Sequence, residues 1–388
     1  MSHPEVKRNQ RLNQFSNNSP ANLHGSKILV ALGSGAISGG TNFILNYAHS
    51  LSSAGANVTI GLFAGQESDL NWHPMGRKCK VSKLNHLMNS YFDLGICTYW
   101  RTVRPMLDVK CSKYLYFVQA LETRFGLNEG NLESAIRAAY TYQIGMPTIT
   151  NASWMQNLIT LHSTSKTWLV RPGIDKFLFK KTNLRESNEF TVLIEGNYSV
   201  EAKQVPQALA ACSRAGISRI LYASPTPHRK SRKFEVHSEV PFTKMPTLYN
   251  KADVILKLSL SEGAFGPPIE AFHCGATAIV SRVTGFDEYI IDRFNALVVD
   301  LGDIEGASNA LLELKDDRSL LQSLKDGATS SASIWPSIEE SGHLFSKICS
   351  LVLNSSFTNI DRIMAIKQLD HALDHHKRKP DKISWAIM

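Results

Sequence analysis

The sequence contains no apolar run approaching the roughly 18 residues of a membrane-spanning helix, and its opening residues are polar, without a signal-peptide core. The chain is therefore expected to stay in a reducing cytoplasm. Its 6 cysteines, Cys79, Cys97, Cys111, Cys212, Cys274 and Cys349, form no C-x-x-C pair and lie near no histidine pair at ligand spacing. That pattern indicates neither a disulfide framework nor a zinc site. There are no internal repeats and no nucleic-acid motif, so nucleic acid is not an expected partner. No D-x-D pair follows a candidate strand, so no metal ligand set is expected. The glycine-rich turn Gly33-Ser34-Gly35-Ala36-Ile37-Ser38 lacks the final glycine of G-x-G-x-x-G. The next strand ends in Gly61-Leu62-Phe63, where a ribose-binding acid would be required. Both departures argue against a nicotinamide dinucleotide and leave no cofactor expected.

With 43% apolar and 20% charged residues the chain is not wholly disordered, and 388 residues exceed what one hydrophobic core ordinarily serves. The net charge of +8 points to an anionic partner such as a nucleotide or an acidic membrane face. Residues 1–25, rich in Asn, Ser, Gln and Arg, read as a disordered leader. Apolar runs at Ile28–Leu32, Asn57–Phe63, Asp93–Thr98, Tyr114–Val118 and Thr148–Thr150 alternate with helical patterns, and the alternation restarts at Phe190–Glu195. This is an α/β chain of parallel strands and crossover helices. Val170-Arg171-Pro172-Gly173-Ile174-Asp175 and the polar run behind it have linker chemistry. The expected domains are 26–172 and 173–335, with terminal helices over 336–388.

The stretch Ser261-Glu262-Gly263-Ala264-Phe265-Gly266-Pro267-Pro268-Ile269-Glu270 follows the apolar run Ala252–Leu258. Pro267 and Pro268 suit the first positions of a helix, and Gly275 suits the left-handed position after its end. Glycines let a ligand approach the backbone, and the free N–H groups of a helix start attract an anion. Glu262 and Glu270 would repel that anion, so they need another part of the same ligand. Vicinal sugar hydroxyls suit carboxylates, which accept two charge-assisted bonds. A diphosphate flanked by polyols is a nucleotide sugar. Lys203, just ahead of the helix that begins at Val205, sits where the helix dipole disfavours a cation, and a nearby anion makes that placement intelligible.

The two glutamates and their spacing resemble the E-x7-E element of retaining glycosyltransferase family 4. Leu248-Tyr249-Asn250-Lys251-Ala252-Asp253 is similar to its L-Y-x-x-A-D lead-in, and Gly275–Val280, Gly285–Glu288 and Asn295–Val299 are similar to its later blocks. Ala264, Phe265 and Gly266 depart from the usual Phe-Gly-Leu. The resemblance implies the GT-B fold, two Rossmann-like doubly wound domains facing across a cleft, with terminal helices crossing back to the amino domain. It also implies retaining, metal-independent transfer, with Glu262 beside the transferred sugar and Glu270 on the nucleoside ribose. Lys203, Gly39, Gly40 and the amides of Ala264, Phe265 and Gly266 would contact the donor. The arginine that usually precedes the lysine is missing, and Arg282 or Arg229 are the available replacements.

Tyr116-Phe117-Val118-Gln119 with Glu122 is similar to an element of rhamnosyltransferase-like members. Trp100, Gln119, Glu122 and Arg124 lie just beyond the carboxyl ends of candidate strands in the amino domain, and with the donor held by the carboxy domain they are the expected acceptor residues; a solvated Glu122–Arg124 pair on a loop is the alternative. The expected partners are a UDP-, GDP- or dTDP-sugar and a glycan or lipid-linked glycan of bacterial surface polysaccharide synthesis. Contact with the inner face of a membrane is a further expectation. The basic cluster His375–Lys379 reads as a solvated tail or a lipid-headgroup contact. Two other functions fit the same residues: nucleotide-sugar epimerisation or phosphorolysis, and a non-catalytic nucleotide-sugar-binding subunit.

Overall fold

A computed structural model of the chain describes residues 21–128, 130–183, 188–355 and 360–387. Its apolar runs become two parallel sheets, each buried by helices on both faces. The first sheet holds β1 (Lys27–Leu32), β2 (Asn57–Leu62), β3 (Lys80–Lys83), β4 (Tyr91–Cys97), β5 (Lys110–Val118), β6 (Thr148–Thr150) and β7 (Thr167–Leu169) in the order β3-β2-β1-β4-β5-β6-β7. The second holds β8 (Thr191–Glu195), β9 (Arg219–Ser224), β10 (Glu235–Ser238), β11 (Val254–Lys257), β12 (Thr277–Ser281) and β13 (Ala296–Val299) in the order β10-β9-β8-β11-β12-β13. Strand order reverses between β1 and β4 in one sheet and between β8 and β11 in the other. Open α/β sheets bind ligands at the carboxyl ends of strands flanking such a reversal. The architecture is two Rossmann-like units.

The helices that bear on the site are α1 (Gly39–Ser53), α2 (Trp100–Met106), α3 (Val205–Arg214), α4 (Gly266–His273) and α5 (Arg318–Ile334), followed by α6 (Ile338–Asn354), α7 (Arg362–Asp370) and α8 (Ala372–Arg378). Ile174–Ser337 form one compact unit, and the described residues up to Gly173 join those from Ile338 onward in the other. The return of α6 to the amino unit has a clear packing cause. Phe345 stacks on Tyr47 of α1 at 4.6 Å, and Phe345, Ile348, Cys349 and Val352 are buried with β1 and β2. Gly342 lies so close to Ser50 that a methyl group there would overlap its hydroxyl. Further on, Ala365, Leu369 and Ala372 enter the core over β4 and β5, and Arg104 reaches Asp370 at 2.6 Å.

Three sequence expectations change. Residues 1–20 of the expected leader lie outside the described residues. Within 21–25, Leu23 is buried and its N–H donates to the Ala54 carbonyl at 3.1 Å, so order begins before Lys27. The basic cluster at 375–379 is mostly helical, in α8, and not a tail, because Ala372 anchors that helix in the core. The third change concerns α5: the sequence shows a helical pattern over Arg318–Gly327, and the helix runs on through Gly327 to Ile334. Gly327 is there for proximity: a Cβ would overlap the Phe294 carbonyl. Gly327→Ala is therefore expected to cost about 2–3 kcal/mol by overpacking, seen as a lower urea midpoint of the carboxy unit. An unchanged midpoint would mean the Phe294 turn yields freely.

Candidate active site

The site is built where β8 and β11 end side by side. Register pairs Leu256 with Ile194, which brings Lys257 level with Glu195 one residue further on. After β11 the chain runs through buried Leu258 and Ser259 into a loop and then α4, whose first turn carries the two prolines. Gly275, at φ 85°, ends α4 in the conformation that glycine adopts without strain. The loop is held from three sides. The Leu260 N–H donates to the Ala202 carbonyl at 2.9 Å, Thr284 Oγ1 donates to the Glu262 carbonyl at 3.3 Å, and the Tyr289 hydroxyl donates to the Phe265 carbonyl. The Leu260 bond ties the glutamate loop to the turn that carries Lys203.

Four charges meet at this point. Lys203 Nζ donates to Glu262 Oε1 at 2.8 Å, and Lys257 Nζ donates to Glu195 Oε2 at 2.6 Å and to the Glu195 carbonyl at 3.1 Å. Lys257 Nζ also lies 4.0 Å from Glu262 Oε1. The Lys257 side chain is 1% exposed and that of Glu262 11%, so neither charge is sustained by water. Burial pushes the Glu262 carboxyl up, but Lys203 and Lys257 outweigh it and hold the group below the usual carboxylate range. Burial likewise pulls Lys257 down, and the neighbouring Glu195 and Glu262 carboxylates reverse the shift and raise it.

Glu270 behaves oppositely. It lies one turn into α4, buried, and accepts from the Tyr249 hydroxyl at 2.8 Å. Burial raises its carboxyl to about 7, against the lowering effect of that bond. The two glutamates of the motif thus differ in charge state near neutrality: Glu262 is ionised and Glu270 is partly protonated. At the loop itself, Phe265 turns into the core and offers a ligand only its backbone, while the space beside Gly266 is open, with Glu270 Oε1 the nearest atom at 3.9 Å. Ala264 is half-buried in the same loop.

Lys203 closes a single turn, Glu201–Lys203, ahead of α3. Gln204 then takes the left-handed conformation, φ 51°, and α3 starts at Val205. Of the two arginines considered as replacements for the missing cation, Arg282 pairs with Asp300 at 3.4 Å and lies over the Phe286 ring, and Arg229 is exposed. The second cation beside Glu262 is Lys257. Sequence reasoning passed over it because it sits inside an apolar run, yet a lysine at the buried end of a central parallel strand is itself a signal. The same holds for Glu195 at the end of β8.

In the amino unit, Gly39 and Gly40 open α1, capped by Ser38, whose side chain accepts from the Thr41 N–H. A Cβ on Gly39 would meet nothing within 4 Å, so its backbone is open to a ligand. A Cβ on Gly40 would come within 3.2 Å of Gln119 Oε1, so the glycine turn and Gln119 are neighbours. Those two had been assigned to different substrates. Trp100 begins α2, with the Arg101 guanidinium 5.0 Å from its ring centre. Arg124 lies over Trp154 at 5.2 Å.

Glu122 corrects the picture of a solvated pair. Its Oε2 accepts from the Trp100 N–H at 2.9 Å and from the Tyr116 hydroxyl at 2.6 Å, while its own N–H donates to the Tyr142 hydroxyl at 3.0 Å. The residue is 5% exposed, and burial raises its carboxyl to about 8. An oxygen that takes both bonds inside the fold has little left for an acceptor hydroxyl. Glu122 instead fixes the start of α2 and, with it, Trp100. Among the described residues, no group of three or more His, Cys, Asp or Glu is placed to hold a metal ion, and no helix is long and apolar enough to cross a membrane.

Residues 227–331, which contain the whole Glu262–Glu270 loop, match the family described as Glycosyl transferases group 1. No curated protein matches the chain in sequence. In structure the chain is similar to sucrose-phosphate synthase from Thermosynechococcus elongatus, with TM-score 0.69, 14% identity, and 84% of this chain and 98% of that one covered. Anabaena HepE in complex with UDP and glucose gives TM-score 0.69 at 14% identity, over 84% of this chain and 99% of that one. WaaG, a glycosyltransferase involved in lipopolysaccharide biosynthesis, gives TM-score 0.66 at 14% identity, over 85% of this chain and 100% of that one. The fold is that of GT-B glycosyltransferases, and the segment that carries the two glutamates matches glycosyl transferases group 1. The match to group 1 lies entirely within the carboxy unit.

Proposed function

We propose that the chain transfers a sugar from a nucleotide-sugar donor to a glycan hydroxyl, with the donor held at the ends of β8 and β11. The observation that carries this reading is the Lys203–Glu262 pair beside the turn into α4, at the point where strand order reverses. In the transfer the bond from the anomeric carbon to the diphosphate breaks, a new one forms to the acceptor oxygen, and the proton of that hydroxyl passes to the departing diphosphate. The electron pair leaves with the diphosphate, and Lys203 and the loop amides stabilise its growing charge. Glu262 holds the sugar's hydroxyls and the positive charge that develops on its ring. Glu270, backed by Tyr249, takes the nucleoside ribose. Gly39, with its open backbone, and Gly40 contribute to the donor, and Trp100, Gln119 and Arg124 to the acceptor. UDP in a similar structure supports a uridine donor as the first to try, ahead of GDP- and dTDP-sugars. Retention of anomeric configuration, and an acceptor in bacterial surface polysaccharide at the membrane's inner face, follow from the family 4 resemblance alone.

The test is a thermal-shift screen of UDP-, GDP- and dTDP-sugars, since a ligand that binds the native state raises its melting temperature. Donor consumption with and without glycan acceptors follows. Binding of one donor class with transfer is expected; binding without turnover under any acceptor would make the chain a sugar-nucleotide-binding subunit. Activity is also expected to survive EDTA, because Lys203 and the loop amides supply the positive charge that the diphosphate needs. Loss on chelation with recovery in magnesium or manganese would overturn the metal-free reading.

A further inference from the structure

Lys257 is fixed and Lys203 is free to move, yet it is Lys203 that holds Glu262. The Lys203 side chain is 33% exposed, on a flexible stem, whereas that of Lys257 is 1% exposed. An ammonium has three N–H bonds. Lys257 uses two of them on Glu195, at 2.6 and 3.1 Å, and its nitrogen lies 4.0 Å from Glu262 Oε1, beyond hydrogen-bond reach. A diphosphate arriving at the loop competes with Glu262 for Lys203. Once that bond opens, Glu262 would be a buried carboxylate with only the uncharged Ser259 hydroxyl as a hydrogen-bond donor, a state that favours taking up a proton.

Resting on the donor site proposed above, we propose that Lys257 is a positioning residue: when the diphosphate draws Lys203 away, Glu262 closes the 4.0 Å gap to Lys257 and keeps its charge and its place beside the sugar. The charged and titratable groups around Glu262 are Lys203 from the turn before α3, Lys257 on β11, Glu195 on β8, Glu270 on α4 and Tyr289 beyond β12. Lys203 and Lys257 are the cations among them. The arrangement also accounts for the arginine absent before Lys203: its charge enters from beneath the loop, and Glu195 keeps it in place while no ligand is bound.

The experiment is a 13C-carboxyl titration of Glu262 in the full chain, with its signal assigned by loss in Glu262→Gln. It is run with and without saturating UDP in wild type, Lys203→Met and the double variant Lys257→Met with Glu195→Gln. The double change leaves no lone buried charge behind, which protects folding. In Lys203→Met, Glu262 is expected to stay ionised down to the ordinary carboxylate range. In the double variant, UDP is expected to raise its titration by more than one unit, whereas in wild type UDP raises it by less than half as much. A rise in Lys203→Met alone overturns the proposal, as does a double variant that titrates like wild type under UDP. If wild type binds no UDP, the uridine-donor reading fails, and the Lys203→Met titration still decides the role of Lys257. If the double variant does not fold, the same single variant decides it.

Discussion

Glu262→Gln is expected to lower turnover on the order of 10³-fold while UDP binds as tightly as in wild type or more tightly. The substitution keeps shape and removes charge. Glu262 holds Lys203 at 2.8 Å, so the carboxylate competes with the diphosphate for the same ammonium. Removing that competitor frees Lys203 and removes the charge that steadies the sugar as its bond to phosphate breaks. Lys203→Met is expected to do the reverse, weakening UDP by about 30-fold or more, since a charged hydrogen bond to phosphate is lost. Calorimetry of UDP binding and a donor-consumption assay separate the two variants. Wild-type turnover in Glu262→Gln would end the assignment. A matched loss of UDP affinity in both variants would mean that the two residues act as one structural pair and not against each other.

Much of this was legible in the sequence, because the physics involved is local. Alternating apolar and amphipathic runs announced a parallel α/β fold, and the Gly/Pro punctuation around Glu262 and Glu270 marked a strand, loop and helix without reference to the rest of the chain. What escaped depended on tertiary proximity. Lys257 was hidden because a strand's period says which face a residue takes, not which strand's end lies beside it; only the β8–β11 register brings it to Glu195. The helical pattern of α5 goes on past Gly327 because that glycine serves close packing, and a glycine needed for packing and one needed for termination are spelled alike. Glu122 was misread for a related reason. Two residues from Arg124 and just past a strand, it had the composition of a surface loop, and the hydroxyls that enclose it come from Tyr116 and Tyr142, 6 and 20 positions away.

That enclosure sets the second large expectation, a fall in the amino unit's stability as pH rises from about 4.5 to about 8. Glu122 keeps its proton in the folded protein up to about 8, whereas the unfolded chain releases it near the ordinary 4.5. Between those values the folded state holds more protons than the unfolded one, so each increment of pH favours unfolding. Each unit of separation corresponds to about 1.4 kcal/mol, which makes roughly 5 kcal/mol the ceiling and a few kcal/mol the expected effect. Glu270 drives the carboxy unit the same way over a narrower span, up to about 7. Glu262, held low by its lysines, acts in the opposite sense and only below the ordinary carboxylate range, where falling pH protonates it. Glu122→Gln resembles the protonated carboxyl and cannot ionise. Urea unfolding followed by tryptophan emission, from Trp100 and Trp154 among others in this unit, should therefore show the variant near wild type at pH 5.5 and more stable than wild type at pH 8.5. If the variant is less stable by the same margin at both values, the two bonds to Oε2 matter and the proton does not. Glu122 would then be an ordinary ionised anchor for α2, and the cause assigned to its raised carboxyl would be wrong.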